Sequence, residues 1–330
     1  MKNFIPFDHM NNLSIGTGSW LLEKTKGNGL FDRFVLNLIK LSYVFLRILF
    51  RIVLGKARRD TLWNDRNITF QGFLYKSIEF LRLENYLLLV FEVPKHNFKF
   101  NTRITRKVNN LLIHDVVKGM SFHEEELIKQ FTPKTGDVVI DVGAAFGLYT
   151  ILASKKVGIT GKVFAIDPQP DTFKMLNNNI KLNKLKNVTS LNCAIHSTET
   201  KLKLYSNYSV ISERAGKHNS DFIVVDCNTL DNLIFQSGEI KEVNWIKIDV
   251  EGAELEVLKS AHDILQNSKD IAILIEIHNI SSGKNHYDQI IELLTKYNFK
   301  IEFEKIYDNG ERNIIVRKNS NYNMTSSEKT

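Results

Sequence analysis

Carboxylates and one imidazole follow the ends of several apolar segments in the C-terminal half of the chain. These segments include "VVID", "VFAID", "WIKID" and "ILIEIH". The side chains at or near their ends are Asp141, Asp167, Asp249, Glu251, Glu276 and His278. Carboxylates accept hydrogen bonds and attract cations, and an imidazole exchanges protons near neutral pH. Such a set indicates a ligand that is cationic or rich in hydroxyl groups.

The stretch "IDVGAAFG" carries a second chemical signal, a turn of small residues between an apolar strand pattern and an apolar helix pattern. Small residues let a ligand approach the backbone N–H groups at the start of a helix. The glycines have G-x-x-x-G spacing, not the G-x-G-x-x-G of dinucleotide sites, and Asp141 stands just before them. A carboxylate there repels a pyrophosphate but attracts an ammonium and a sulfonium. We therefore predict S-adenosylmethionine as the cofactor, with Asp141, Gly143, Ala145 and Gly147 among its binding residues.

Two later segments supply the rest of the predicted cofactor site. Asp167 lies 20 residues beyond Gly147 and can accept hydrogen bonds from two ribose hydroxyls, with Pro168 in the same loop. Cys193 and Ala194 end the next strand pattern, where they are placed to flank the adenine. An ordinary buried strand end is an equally good interpretation of Cys193.

Strand and helix patterns alternate from residue 138 onward, and this order predicts where the polar residues meet. The predicted strands are 138–142, 163–167, 188–195, 201–205, 222–226, 245–249, 271–277, 299–305 and 312–318. One predicted helix begins after Gly147, and three others cover 171–185, 252–265 and 287–297. The alternation implies a doubly wound, Rossmann-like α/β fold whose parallel sheet ends in a C-terminal antiparallel hairpin. Ligands bind beyond the carboxyl ends of the strands in such sheets.

Four segments are predicted along the chain. Residues 1–60 form an N-terminal segment, 61–131 a small α/β cap, 132–318 the ligand-binding domain and 319–330 a polar, disordered tail. The cap contains two strand patterns, "YLLLVFEV" and "FKFNTRIT".

The N-terminal segment contains a basic amphipathic helix, predicted at 34–54. Residues 1–120 hold 19 Lys and Arg against 9 Asp and Glu, whereas the rest of the chain is slightly acidic. A narrow polar stripe crosses the apolar helix and includes Lys40, Arg47 and Arg51. Charges in these positions argue against a transmembrane span. An interfacial helix on a membrane and a helix packed on its own domain or on a second copy in a homodimer are equally compatible with the pattern.

Composition excludes several other classes of protein. The 330 residues are 43% hydrophobic and 25% charged, as in ordinary globular proteins. Two cysteines cannot build a disulfide framework or a zinc site, and no metal site is predicted. The start "MKNFIPFDHM" lacks a signal-peptide pattern, so we expect a cytoplasmic protein, at the inner membrane face if the helix binds lipid. No aromatic and basic RNA motif is visible, so no nucleic-acid partner is predicted.

The motifs together resemble the FkbM-type S-adenosylmethionine-dependent methyltransferases. The resemblance covers about Phe122 to Arg317 and includes "VVIDVGAAFGLYT", "VFAIDPQP", "NCAI", "NTLD", "WIKIDVEGAELEVL" and "ILIEIH". It implies a class I methyltransferase sheet and methyl transfer to a hydroxyl oxygen of a sugar or natural product. Two positions depart from the family, which usually has Asn where Ala145 stands and Glu where Asp167 stands.

The predicted catalytic residues are Asp249, Glu251 and His278. An alcohol that attacks a sulfonium methyl must be aligned and must lose its proton, so a carboxylate or imidazole is needed nearby. Glu251 or His278 would be the base, with a slight preference for His278 because a near-neutral pKa suits proton transfer. Lys247 is expected to pair with Asp249 or Glu276, and Glu254 to line the pocket or form a surface pair.

The expected acceptor is a small or lipid-linked hydroxylated molecule. Two other functions stay open. One is a membrane-associated protein that binds the cofactor without catalysis, and the other, disfavoured by the turn spacing and Asp141, is a nicotinamide-dependent dehydrogenase.

Overall fold

The structure is a computed structural model. It describes residues 25–27, 30–45, 77, 88–93, 98–103, 124–205, 210–211, 222–236, 238–279 and 286–318. The predicted tail at 319–330 lies outside the described residues. The chain divides into two compact units, Met1–Leu127 and Ile128–Thr330.

The N-terminal unit contains a small antiparallel sheet and a helix at residues 30–45. Its strands β1 (Thr25–Gly27), β2 (Leu88–Val93) and β3 (Phe98–Arg103) pair in the order β1-β2-β3. The last two confirm the strands predicted from "YLLLVFEV" and "FKFNTRIT". Helix α1 covers residues 30–45, which confirms the first part of the predicted helix, and residues 46–54 lie outside the described residues.

Helix α1 buries one apolar face and exposes another. Leu36, Ile39 and Tyr43 are at most 5% exposed. The large apolar side chains on the exposed side are Leu30, Phe31, Phe34, Leu38, Leu41, Val44 and Phe45. Residues at steps of three and four share a helix face, so most of these side chains form one apolar stripe.

A seven-stranded sheet forms the centre of the C-terminal unit. Its strand order is β13-β14-β12-β11-β4-β5-β6. The bounds are β4 Val138–Val142, β5 Lys162–Ile166, β6 Val188–Leu191, β11 Trp245–Ile248, β12 Ala272–Ile277, β13 Phe299–Ile306 and β14 Arg312–Lys318. The pairings from β12 to β6 are parallel, and β14 runs antiparallel to β12 and β13. The predicted doubly wound sheet with a C-terminal hairpin is confirmed.

Helices connect these strands. Their bounds are α2 Glu124–Gln130, α3 Leu148–Val157, α4 Pro170–Leu182, α5 Leu230–Phe235, α6 Glu254–Lys259, α7 His262–Asn267 and α8 His286–Lys296. Helix α4 shows a local sequence signal for its start, because Pro170 occupies the first turn and Gln169 caps the N-terminus. Ile140, Ile246 and Ile273 lie on the central strands β4, β11 and β12 and are fully buried in the core.

Two elements differ from their predictions. The strand predicted at 188–195 is split, since β6 stays in the central sheet whereas β7 (Ala194–Ile195) joins a second sheet, β7-β10-β8-β9. That sheet also contains β8 (Thr200–Tyr205), β9 (Val210–Ile211) and β10 (Phe222–Asn228). The helix predicted at 252–265 is two helices, α6 and α7. Between them the Ser260 hydroxyl donates to the Val257 carbonyl, a side-chain bond that competes with helix propagation.

The sheet order places a crevice between β4 and β11. Strand β4 pairs with β5 on one side and with β11 on the other, so the chain reverses its direction of winding there. Gly143 follows β4 with φ 76°, and a Cβ atom built on it would overlap the carbonyl oxygen of Asp249, which follows β11. The first glycine of the turn is therefore required by the close approach of two loops.

Replacing Gly143 with alanine should destabilise the protein much more than a positive φ alone would. Gly238→Ala is the matched control, because Gly238 has φ 69° but a Cβ there meets no atom within 4 Å. We expect the free energy of unfolding to fall by about 1 kcal/mol in the control and by more than about 3 kcal/mol in Gly143→Ala. Urea unfolding curves measure both changes. Equal shifts for both variants would contradict the close-approach explanation.

Candidate functional site

A cleft that opens to solvent lies beyond the carboxyl ends of β4, β5 and β11, and the empty space in the cleft and its mouth is about 760 Å³. Its walls include six of the predicted cofactor residues and two of the predicted catalytic ones, namely Gly143, Ala145, Asp167, Pro168, Cys193, Ala194, Asp249 and Glu251. Sequence reasoning missed other wall residues, among them Gln169, Thr172, Ile195 and Leu204. Leu204 comes from β8 in the second sheet, and no local pattern connects that strand to the cleft.

The glycine turn is held by backbone contacts and includes one strained residue. The N–H groups of Gly143 and Ala144 both donate to the Ile166 carbonyl at 3.0 Å. Ala145 has φ 47°, a left-handed conformation that costs a non-glycine residue about 1–2 kcal/mol. Asn adopts this conformation more readily than Ala, which gives a physical reason for the Asn usual at this position in the resembled family. Gly147 precedes α3 with φ 92°.

Asp167 connects this turn to the loop after β5. Its Oδ2 accepts from the Ala145 N–H at 2.9 Å, and its Oδ1 accepts from the Gln169 N–H at 3.0 Å and from the Thr172 hydroxyl. Burial raises the pKa of Asp167 to about 6, although these hydrogen bonds oppose the shift. Carboxylate oxygens have further lone pairs, so the predicted contact with ribose hydroxyls stays open to Asp167.

Asp141 lies behind the turn and not on the cleft wall. It is 1% exposed, its Oδ2 accepts from the Thr150 hydroxyl at 2.5 Å, and burial raises its pKa. The predicted contact with the cofactor ammonium is not supported by this position. Its Oδ1 accepts no hydrogen bond from the described residues and faces the Lys247 ammonium at 3.8 Å.

The buried Lys247 ammonium joins the two loops that form the cleft. It donates to the Gly143 carbonyl and to Asp249 Oδ2, both at 3.2 Å. Burial lowers its pKa, but the charges of Asp249 and Asp141 outweigh burial and raise the pKa above its ordinary value. The predicted pairing of Lys247 with Asp249 is confirmed.

His278 stands at the centre of an acidic cluster beside the cleft. It is 5% exposed, and its Nδ1 lies 2.8 Å from Glu254 Oε1. Its Nε2 lies 3.8 Å from both Glu251 Oε2 and Glu276 Oε1, and 3.9 Å from Asp249 Oδ1. The structure thus brings the three predicted catalytic residues, Asp249, Glu251 and His278, together.

Glu254 is a buried carboxylate that contacts both His278 and His286. It is 0% exposed, accepts from the Gly252 N–H at 2.8 Å and lies 2.7 Å from Nε2 of His286. Burial would raise the pKa of Glu254, but hydrogen bonds from His278 and His286 lower it to about 2. The prediction that Glu254 lines the pocket or forms a surface pair is therefore wrong. His286 was missed, because only the tertiary fold brings it to Glu254.

The reason for preferring His278 as the base does not hold. Burial would lower the pKa of His278, but the hydrogen bond to Glu254 and the charges of Glu254, Asp249 and Glu251 raise it to about 9. The near-neutral pKa that favoured His278 is therefore absent.

Another part of the cleft wall is apolar. Burial raises the pKa of the Cys193 thiol to about 11, so the side chain stays neutral near pH 7. Ala194 and Leu204 beside it are at most 2% exposed. A flat aromatic base fits such a surface, as the prediction for the adenine requires.

The strand order and the cleft define the fold of the class I S-adenosylmethionine-dependent methyltransferases. Residues 141–301, just under half of the chain, match the family model described as the methyltransferase FkbM domain. This match confirms the resemblance and S-adenosylmethionine as the cofactor.

Several known proteins are similar to this chain. Hexuronic acid methyltransferase AglP of Haloferax volcanii is 28% identical over 185 residues, which cover 56% of this chain and 72% of that protein. Methyltransferase 1 of Beauveria bassiana is 23% identical over 146 residues, and the chain spans only 58% of its length. A crystal structure of a SAM-dependent methyltransferase from Aquifex aeolicus is 18% identical, covers 58% of this chain and 88% of its own, and has a TM-score of 0.34.

The cleft fits this cofactor by the chemistry of its walls. The turn from Gly143 to Ala145 would hold the methionyl part, Asp167 the ribose, and Cys193 and Ala194 the adenine. The bound cofactor supplies an electrophilic methyl group on a sulfonium.

The affinity for S-adenosylhomocysteine should rise about tenfold between pH 5 and pH 7. Because folding raises the pKa of Asp167, its contribution to the stability of the fold is complete below pH 3.8, the ordinary pKa of the group. This contribution is lost as the pH rises through about 6. Ribose hydroxyls donate best to the ionised carboxylate, so binding gains as Asp167 ionises. Calorimetric titrations across this range measure the effect.

Asp167→Asn tests whether Asp167 causes this pH dependence. The variant should bind more weakly and with nearly constant affinity from pH 5 to pH 7. Asp270→Asn, an exposed carboxylate beside Arg317, should retain the wild-type rise. A wild-type affinity that is flat with pH, or a rise that survives in Asp167→Asn, would exclude the ribose role.

Proposed function

We propose that the C-terminal unit transfers a methyl group from S-adenosylmethionine to a hydroxyl oxygen of a sugar or a similar polyhydroxylated small molecule. The observation that carries this proposal is the cluster of Asp249, Glu251 and Glu276 around His278 at the edge of the cofactor cleft. Carboxylates in this position can accept hydrogen bonds from several acceptor hydroxyls and can remove the proton of one of them.

Glu251 is the proposed base. It lines the cofactor cleft, its side chain is 45% exposed, and His278 is already bound to Glu254 through Nδ1. Glu251 also has φ 55°, a strained conformation for a residue with a long side chain. Such strain is concentrated at functional sites, where the surrounding structure holds a side chain in a required place.

One relative supports the proposal that the acceptor is a sugar. The name of AglP states that it acts on hexuronic acid, and the alignment covers 56% of this chain. The cluster beside the cleft offers carboxylates to hydroxyl groups.

Transfer of a deuterated methyl group from labelled S-adenosylmethionine to a panel of sugars and glycolipids tests the function. Glu251→Gln should lower the single-turnover rate by about 10² to 10⁴ and leave the affinity for S-adenosylhomocysteine nearly unchanged. Glu302→Gln, on the exposed strand β13, is the matched control and should keep the wild-type rate. Product labelled on nitrogen or carbon, or a wild-type rate in Glu251→Gln, would contradict this assignment.

We also propose that the exposed apolar stripe of α1 contacts the surface of an anionic membrane, near lipid-linked acceptors at the inner face. Phe34, Leu41 and Phe45 are 64%, 67% and 66% exposed, and Arg33 and Lys40 lie on the same helix. An apolar face with basic residues is typical of interfacial helices. No helix in the described parts of the chain is long and apolar enough to cross a bilayer.

Flotation with vesicles that contain phosphatidylserine tests the membrane contact. The full chain should float with the vesicles, and Phe34→Glu combined with Leu41→Glu should reduce the bound fraction at least tenfold. Ile159→Glu, at a 97% exposed site in the other unit, is the matched control and should bind like the wild type. A full chain that does not float, or that buries the stripe in a stable dimer, would contradict this proposal.

A further inference from the structure

The side of the His278 cluster that faces Asp249 and Glu276 has the composition of a cation site. One oxygen of Asp249, one oxygen of Glu276 and one ring nitrogen of His278 lie within 4.8 Å of one another. Imidazole nitrogen and carboxylate oxygen are ligands of divalent transition metals and of Mn²⁺. No metal site was predicted from the sequence, because these donors end two different strands and only the sheet brings them together.

The spacing within the cluster can accommodate one shared cation. His278 is 5% exposed, and the carboxylate oxygens of Asp249 and Glu276 lie 3.9 Å and 3.8 Å from its Nε2. These separations exceed hydrogen-bond length. Two ligands that each bond one ion at about 2.1 Å lie at most about 4.2 Å apart, so both separations fit within that limit.

The rest of His278 is oriented as a metal ligand would be. Its Nδ1 is 2.8 Å from Oε1 of the buried Glu254, which leaves Nε2 directed at the cluster. A carboxylate on the far nitrogen of a histidine is the usual second layer of a metal site, since it sets the ring orientation and increases the basicity of the other nitrogen. Lys247 holds the other oxygen of Asp249 at 3.2 Å, so Oδ1 keeps its direction toward His278.

We propose that Asp249, Glu276 and His278 bind one divalent cation at the edge of the cofactor cleft. Asp249 and Glu276 have side chains 32% and 30% exposed, so the three ligands leave open positions toward the solvent. Sites with three protein ligands and open positions bind and polarise oxygen groups of substrates. The open positions would take hydroxyl oxygens of the acceptor, which favours an acceptor with neighbouring hydroxyl groups. This role rests on the proposed methyl transfer, whereas cation binding does not.

Binding of Mn²⁺ to the full chain, without cofactor or acceptor, tests the site. Electron paramagnetic resonance should detect one Mn²⁺ per chain. Glu276→Gln should weaken its binding at least tenfold, because even the loss of a second-layer partner costs about 10- to 100-fold in metal affinity. Glu292→Gln, a matched change on the exposed side of α8, should stay within about twofold of the wild type.

Two controls separate a missing metal site from a damaged fold or a wrong function. Glu276 is not on the cofactor cleft wall, so Glu276→Gln should retain the wild-type affinity for S-adenosylhomocysteine. If that variant fails to fold, spin-echo spectra of Mn²⁺ on the wild type still apply, and they should show coupling to one imidazole nitrogen. Three results would each overturn the proposal. They are no Mn²⁺ binding at 1 mM, which means a binding free energy weaker than about 4 kcal/mol, wild-type Mn²⁺ affinity in a folded Glu276→Gln, and no nitrogen coupling in the spin-echo spectra.

Discussion

The C-terminal unit depends on one buried cation, the ammonium of Lys247. It lies on β11 between Asp141 of β4 and Asp249 in the following loop, and it also donates to the Gly143 carbonyl. Without it, the buried Asp141 carboxylate would have no cation beside it, and an uncompensated buried charge costs several kcal/mol. Lys247 therefore joins the glycine turn after β4 to the loop after β11 that contains Asp249.

The site combines rigid support with two strained positions. Asp167 and Glu254 are buried carboxylates that accept several hydrogen bonds, and each orients a loop beside the cleft. Ala145 and Glu251, the two cleft residues that these loops carry, are non-glycine residues with positive φ. Buried hydrogen bonds can hold such backbone conformations because breaking them would leave charged groups unpaired.

Much of the fold was predictable because apolar strands and amphipathic helices leave periodic patterns, and the strand ends correctly indicated Asp167, Asp249 and Glu251 as cleft residues. Properties that depend on burial were not predictable. Asp141 ends a strand as Asp249 does, yet only the packing of α3 and Lys247 shows that it is enclosed. The pairing of Glu254 with His286 spans 32 residues and has no local signal. The pKa of His278 followed neither its residue type nor its spacing, because it depends on Glu254.

The central claim is that the cofactor methyl group is presented to the carboxylates that surround His278. A crystal structure of the full chain with S-adenosylhomocysteine tests this claim most directly. We expect the adenine beside Cys193 and Ala194, the ribose at Asp167, and the sulfur open toward Glu251. A sulfur atom directed away from Glu251, or a ligand bound outside the cleft between β4 and β11, would contradict the account.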